Sequence, residues 1–271
     1  MKSNLWSNIN YKYPLKFCYN TFIREYDMSK ANINSLLYKK RITKEQYDYL
    51  FNADKQTREI QIGLMIQKDP SVYQDIQDGI VEGKKRLFLY NDLEDQDILS
   101  IKNDAVFVLR KELSNTTFDN FVFVCKNVYT MYMQILDLEI YYGDKVNIDG
   151  SLSINIDVKG INDSIVFQSH SPGILDVITD VCYFIQHDSI TVAIQYLSDI
   201  YDRYINRKLD VCYYREFNYE SKFVLYTPNF RYSLDTISDQ YLSQIDINRN
   251  LLVIRELMYI VSEIYNIGKR S

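Results

Sequence analysis

The chain is short of the residues that most directly announce a chemistry. Its two histidines, His170 and His187, have no partners at metal-ligand spacing and support no Ser-His-Asp arrangement. The four cysteines, Cys18, Cys125, Cys182 and Cys212, stand far apart without any C-x-x-C spacing. Neither a zinc ribbon nor a disulfide framework is suggested, and a reducing compartment fits. Glycine is scarce, with 8 in 271 residues, and Gly63, Gly79 and Gly83 make no phosphate-loop pattern. No stretch approaches twenty apolar residues, and MKSNLWSNINYKYPLK at the N-terminus has no apolar run long enough for a signal peptide. A cytoplasmic chain with no membrane partner is expected. Positive charge is not in excess either: 31 Lys and Arg against 36 Asp and Glu leave a net charge of −5. That argues against coating nucleic acid through bulk electrostatics and leaves room for a local basic channel. Internal repeats, low-complexity tracts and flexible linkers are missing as well.

What is present is ordinary globular material, 46% hydrophobic and unusually rich in tyrosine, with 25. Such a chain buries a real core as one large domain or two small ones. Residues 1–21 read as an irregular arm or edge strand leading into a strand, Phe22–Tyr26. A short helix is expected over Ile33–Lys40. Thr43-Lys-Glu-Gln46 is a capping-box pattern that starts a second helix, and a third begins after Asp54 with Ile60, Leu64 and Met65 on its apolar side. Asp69-Pro70 opens a long helix carrying Ile76, Ile80, Leu87 and Phe88. Further strands are expected at Phe121–Lys126, read as buried, and over Tyr129–Tyr142 and Asn147–Val158, with turns at Gly143 and Asp149-Gly150. From Ser171-Pro172 the chain turns helical, Gly173–Gln186 and Ser189–Asn206, then strand-like over Leu209–Tyr226. It closes with a helix, Arg249–Ile267, ended by Gly268.

The most informative stretch is DILSIKNDAVFVLR, Asp97–Arg110. Two apolar runs, Ile98–Ile101 and Ala105–Leu109, flank Lys102-Asn103-Asp104, which is a hairpin signal that sets the Asp104 carboxylate on a tight turn. A similar placement occurs in FIREYDMSKANIN, where a strand runs into Asp27 ahead of a helix. Alone, Asp104 reads as a turn former and Asp27 as a helix cap. Brought together at strand ends, the two carboxylates suit a pair of Mg²⁺ ions that run an in-line phosphoryl transfer.

These residues carry a resemblance. DILSIKNDAVFV resembles the motif C hairpin of family B DNA polymerases, with Asp104 matching the second aspartate of the D-T-D-S turn and Lys102 standing in place of the first. YDMSKANINSL resembles motif A, with Asp27 as the metal aspartate and Asn32 where the family has a tyrosine. DGIVEGKKRLFLYNDLEDQ resembles the palm helix that precedes motif C, and Lys159-Gly160-Ile161 the KG dipeptide near the primer. The likeness spans roughly residues 20–210 and takes in the family's palm and thumb portion only, in a reduced, divergent, phage- or virus-like form.

The resemblance implies an α+β fold: a right-hand palm with an antiparallel sheet over 1–165, a short helical fingers-like insertion at about 33–90, and a thumb-like helical region over 166–271. It implies two-metal nucleotide addition to a nucleic-acid 3′ end in replication or priming, in the host cytoplasm if viral, with two Mg²⁺ ions held by the catalytic Asp27 and Asp104. Lys30, Asn32 and Arg58 are the expected nucleotide contacts, and Lys84, Lys85 and Lys159 the expected nucleic-acid contacts. The default reading of Lys84-Lys85-Arg86 is an exposed basic helix face. Primer-template, a nucleoside triphosphate and a partner chain or second copy are the expected partners. The alternative is a catalytically degenerate palm acting as a binding or assembly subunit. Lys102, the acidic balance and the missing K-x3-N-S-x-Y-G helix weigh for that alternative, whereas the two aspartates weigh for activity.

Overall fold

The alternation of Ile23, Glu25 and Asp27 with Arg24, Tyr26 and Met28 makes a strand with two unlike faces, and the N-terminal half is built on it. The computed structural model describes residues 4–147, 149–159, 171–214 and 247–269. Among these the chain is α+β, with seven α-helices and two antiparallel sheets. It divides into two compact units, residues 1–15 with 21–129, and residues 16–20 with 130–271. In chain order the elements are β1 (Asn10–Lys12), β2 (Phe17–Cys18), β3 (Ile23–Met28), α1 (Ala31–Tyr38), α2 (Lys44–Asn52), α3 (Lys55–Lys68) and α4 (Ser71–Tyr90). There follow β4 (Ile98–Lys102), β5 (Ala105–Leu109), β6 (Thr117–Phe118), β7 (Phe121–Tyr129), β8 (Met131–Ile135), β9 (Leu138–Val146) and β10 (Leu152–Lys159). Three helices close the chain: α5 (Pro172–His187), α6 (Ile190–Ile205) and α7 (Ile247–Gly268). No helix among the described residues is long and apolar enough to cross a membrane.

In the first unit the strand order is β1-β4-β5-β3-β7-β6. One face of the sheet, including Tyr26, Met28, Ile101, Val106 and Phe123, shares a core with Ile33 and Leu36 of α1 and Ile76, Ile80 and Leu87 of α4. Helix starts follow the local chemistry. Thr43 and Gln46 form the reciprocal capping box, Asp54 accepts from Thr57 N at 2.9 Å, and the Asp69 carboxylate accepts from Ser71 N at 3.0 Å. Gly83 lets α4 approach the sheet, since a Cβ there would lie 2.5 Å from Met28 Cε. Two expectations are corrected here. Helix α3 buries Ile62, with Met65 and Ile66 half-buried, and leaves Ile60 and Leu64 exposed, because it packs by a narrow stripe rotated from the one inferred. Strand β7 is not wholly buried: Phe121 and Phe123 point inward while Val122 and Val124 are exposed.

In the second unit the order is β10-β9-β8-β2. Strands β8–β10, grouped with the palm in the sequence reading, share their core with the helices instead, Met131, Met133 and Ile140 clustering with Ile174, Leu197 and Leu257. Gly143 makes no turn; it sits within β9 opposite Asn155, and the reversal falls at Leu136-Asp137, with Leu136 at φ +55°. Gly150, at φ +81°, does hold its turn. The segment expected to be strand-like from Leu209 begins with a 3₁₀ turn at Val211–Tyr213, and its remainder lies outside the described residues, as do Gly160 and Ile161.

Candidate functional site

Asp27 is the fifth residue of β3 and pairs in register with Ala105 of β5. Asp104 immediately precedes Ala105, and its carbonyl accepts from Met28 N at 3.3 Å. The two aspartates therefore sit at adjacent positions across one antiparallel pair, where the sheet holds both backbones. The turn between β4 and β5 has Asn103 at φ +53°, a left-handed conformation that asparagine tolerates better than most residues. Asn103 N donates to Ile9 O at 2.7 Å, so the N-terminal segment braces the turn.

A cleft of about 270 Å³ opens beside the pair, lined by Asp27, Met28, Lys30, Ala31, Asn32, Ile33, Lys55, Arg58, Glu59, Ile62 and Asp104. Three carboxylates (Asp27, Glu59, Asp104) and three cations (Lys30, Lys55, Arg58) thus face one space. Lys30 begins α1 in a left-handed conformation at φ +49°, and its ammonium lies 2.5 Å from Phe51 O and 3.2 Å from the Phe51 ring centroid. Arg58 donates to Ala53 O at 2.5 Å. Asn32 is exposed in the first turn of α1 and does not cap it; the buried Asn34 instead donates to Ser29 O at 2.6 Å.

The electrostatics are those of crowded charge. Asp104's carboxyl is pushed above the usual carboxylate range, first by burial and then by the Asp27 charge, with Lys84 and Lys126 pulling it partway back. The Lys30 ammonium is pushed down by burial and by the neighbouring Arg58.

Of the residues expected from sequence, Asp27, Asp104, Lys30, Asn32 and Arg58 line this one cleft. The others do not. Lys84 is fully buried, with its ammonium on the carbonyls of Asn8 at 2.6 Å and Asn103 at 2.8 Å. It lies on no exposed basic face and presents nothing to a nucleic acid. Lys85 is exposed on α4 beside Glu82, and Lys159 ends β10 in the second unit, paired with Asp157 at 2.6 Å. The sequence reading missed Lys55 and Glu59 as cleft residues and Lys126 as a charge acting on Asp104. Lys55 was findable, one helical turn before Arg58 and so on the same face. Lys126 was not, because it occupies a bulge where β7 slips register against Glu25 and Tyr26, and no local signal marks a bulge.

The chemistry of the donor set fits Mg²⁺. It is oxygen-only, rigidly based, and carries a like-charge repulsion that a cation would relieve. Among the described residues no three or more His, Cys, Asp or Glu side chains gather into a metal cage. Mg²⁺ is commonly bound through one or two carboxylates and phosphate oxygens and not by an all-protein cage.

A sequence model for the family described as Bacteriophage PBS1 gene 130 protein matches residues 1–263 of the chain. No curated protein matches it.

Proposed function

The chain belongs to the Bacteriophage PBS1 gene 130 protein family, and from that premise and the site geometry we propose that it is a phage nucleotidyltransferase of the family B polymerase type, acting in the host cytoplasm. One observation carries the reading: Asp27 on β3 and Asp104, in the turn that enters the neighbouring β5, line the same cleft as Lys30, Asn32, Lys55 and Arg58. Carboxylates for metal and cations for phosphate in one small space suit a nucleoside triphosphate.

Asp27 and Asp104 are the residues that would hold two Mg²⁺ ions. Bound there, the ions supply acidification of an attacking 3′-hydroxyl and neutralisation of a leaving pyrophosphate. The chain's own residues do the rest. Lys30, Lys55 and Arg58 take the phosphate charge, and the sheet fixes the carboxylates so that little reorganisation is needed during reaction. Asn32 hydrogen-bonds the sugar, and its small size gives a 2′-hydroxyl little to collide with. Primer-template is the partner that such a site would take. Exposed Tyr49, Phe51, Ile60 and Leu64 on α2 and α3 supply apolar material for a partner chain or a second copy, which light scattering tests; a clean monomer counts against it.

A second reading has its own observation. Lys84 and Lys126 already act on Asp104 as built-in cations, as suits a degenerate palm that serves as a binding or assembly subunit. Primer extension with Mg²⁺ and both dNTPs and rNTPs, paired with calorimetry of Mg²⁺ and nucleotide binding, separates the two. Extension that disappears in Asp27→Asn and Asp104→Asn supports the enzyme. Folded wild type that binds neither metal nor nucleotide sinks it in favour of the degenerate palm.

A further inference from the structure

Lys84 is a charged side chain with 0% of its surface exposed. Enclosing an ammonium is strongly unfavourable unless its protons find acceptors, and here they find main-chain carbonyls of two separate segments. One of them, Asn103 C=O, belongs to the peptide group that enters Asp104. The peptide group that leaves Asp104 is also held, by Met28 N on its carbonyl. With both flanking peptide planes tied, the backbone rotations that aim the Asp104 side chain are fixed. The other acceptor, Asn8 C=O, lies in the N-terminal segment, which also braces the turn through Ile9 O.

We propose that Lys84 is a positioning residue for Asp104: inserted from α4, its ammonium locks the Asn103–Asp104 peptide plane against the N-terminal segment and so aims the carboxylate into the cleft. The proposal rests on the reading of Asp27 and Asp104 as a divalent-cation pair. It also accounts for a lysine in a place where packing alone would select an apolar side chain. Three charged groups act on Asp104, namely Asp27 from β3, Lys84 from α4 and Lys126 from β7. Asp27 opposes its ionisation and the two lysines favour it.

The test uses the full chain as wild type, Lys84→Gln, Lys84→Met and Lys84→Arg, with thermal melting to establish folding. Amide hydrogen exchange is followed at Met28 N, whose bond to Asp104 O reports the geometry of the turn, and Mn²⁺ alone is titrated calorimetrically near neutral pH. In Lys84→Gln the Met28 amide should exchange about tenfold faster and Mn²⁺ affinity should fall about tenfold, as for loss of a residue that orients a metal ligand. Lys84→Met serves for both readouts if the glutamine variant does not fold. Lys84→Arg, which can still donate to the two carbonyls, should recover part of both. A folded neutral variant in which either quantity is unchanged overturns the proposal. Failure of wild type to bind Mn²⁺ overturns the cation reading instead, and exchange at Met28 then decides the role of Lys84 by itself.

Discussion

In the N-terminal unit the buried polar side chains include two ionisable ones, Glu25 and Lys84, and the half-buried Asp104 feels the Lys84 charge. In the C-terminal unit the helices α5, α6 and α7 meet the sheet through an apolar core, and among the described residues its orphaned buried polar atoms are neutral, the hydroxyls of Tyr132 and Tyr142, as is the one in the N-terminal unit, Ser35 Oγ. Glu139 is the buried charge of that unit among the described residues, and it accepts from Tyr141 at 3.0 Å. The contrast separates two uses of an interior. A neutral hydroxyl left unpaired costs a little stability and has no reach, whereas a charge under a turn projects a field into a cleft. In unit one, Lys84 and Asp104 are charged at a cost to stability, because burial disfavours the ionised form of each.

The sharpest way to break that contrast is Asp104→Asn. If the cleft is a two-metal site, Mg²⁺-dependent incorporation should fall by roughly a thousandfold or more, since an amide is a poor ligand for a hard cation. The same variant should melt higher near neutral pH. A variant that is both less stable and fully active would mean that Asp104 is a turn former only.

Next in size is Leu257→Ala in the core of the C-terminal unit, expected to cost about 2–5 kcal/mol. Trp6 is the chain's one tryptophan and packs edge-on against Phe88, so its fluorescence reports on the N-terminal unit. The circular dichroism midpoint in urea should therefore move further than the fluorescence midpoint. Equal shifts would show the two units unfolding as one.

The pH dependence of stability sharpens the comparison further. Asp104 has a folded-state pKa above its unfolded value, so its ionised form destabilises the fold. That penalty is absent below the ordinary carboxylate range and grows as pH rises through the raised value. Lys84 is pushed down to about 8 from 10.5, so its charged form also costs stability below about pH 8, and the cost is relieved as pH climbs toward 10.5. The magnitude is about 3 kcal/mol. The stability of wild type minus that of Lys84→Met, in chemical denaturation from pH 7 to 10.5, should become more positive with rising pH, by about 3 kcal/mol across the window. A pH-independent difference would mean that the ammonium is not strained.

The smallest effect is expected at Asn32. Asn32→Tyr should shift dNTP-over-rNTP preference by tenfold or so through bulk at the sugar. Strong dNTP preference in wild type, unchanged in the variant, would show that Asn32 does not form the sugar pocket.

Much of this was legible because it is local. Thr43 with Gln46, Asp54 with Thr57 and Asp69 with Ser71 each act within one helical turn, and the β4–β5 hairpin needs only two apolar runs and a polar turn between them. That Asp27 and Asp104 line one cleft was also within reach, because each stands at or beside a strand end whose own pattern is clear. The tertiary structure alone decided the rest. Lys84 sits in a basic run that reads as solvated, and only the arrival of Asn8 and Asn103, 76 and 19 residues away, turns it into a buried clasp. Whether α3 buries Ile60 or Ile62, and whether β7 bulges at Lys126, depends on neighbours that meet only once the chain has closed. Capping and turn chemistry is settled by atoms within a few residues, whereas burial, register and the field at a carboxylate are sums over distant ones.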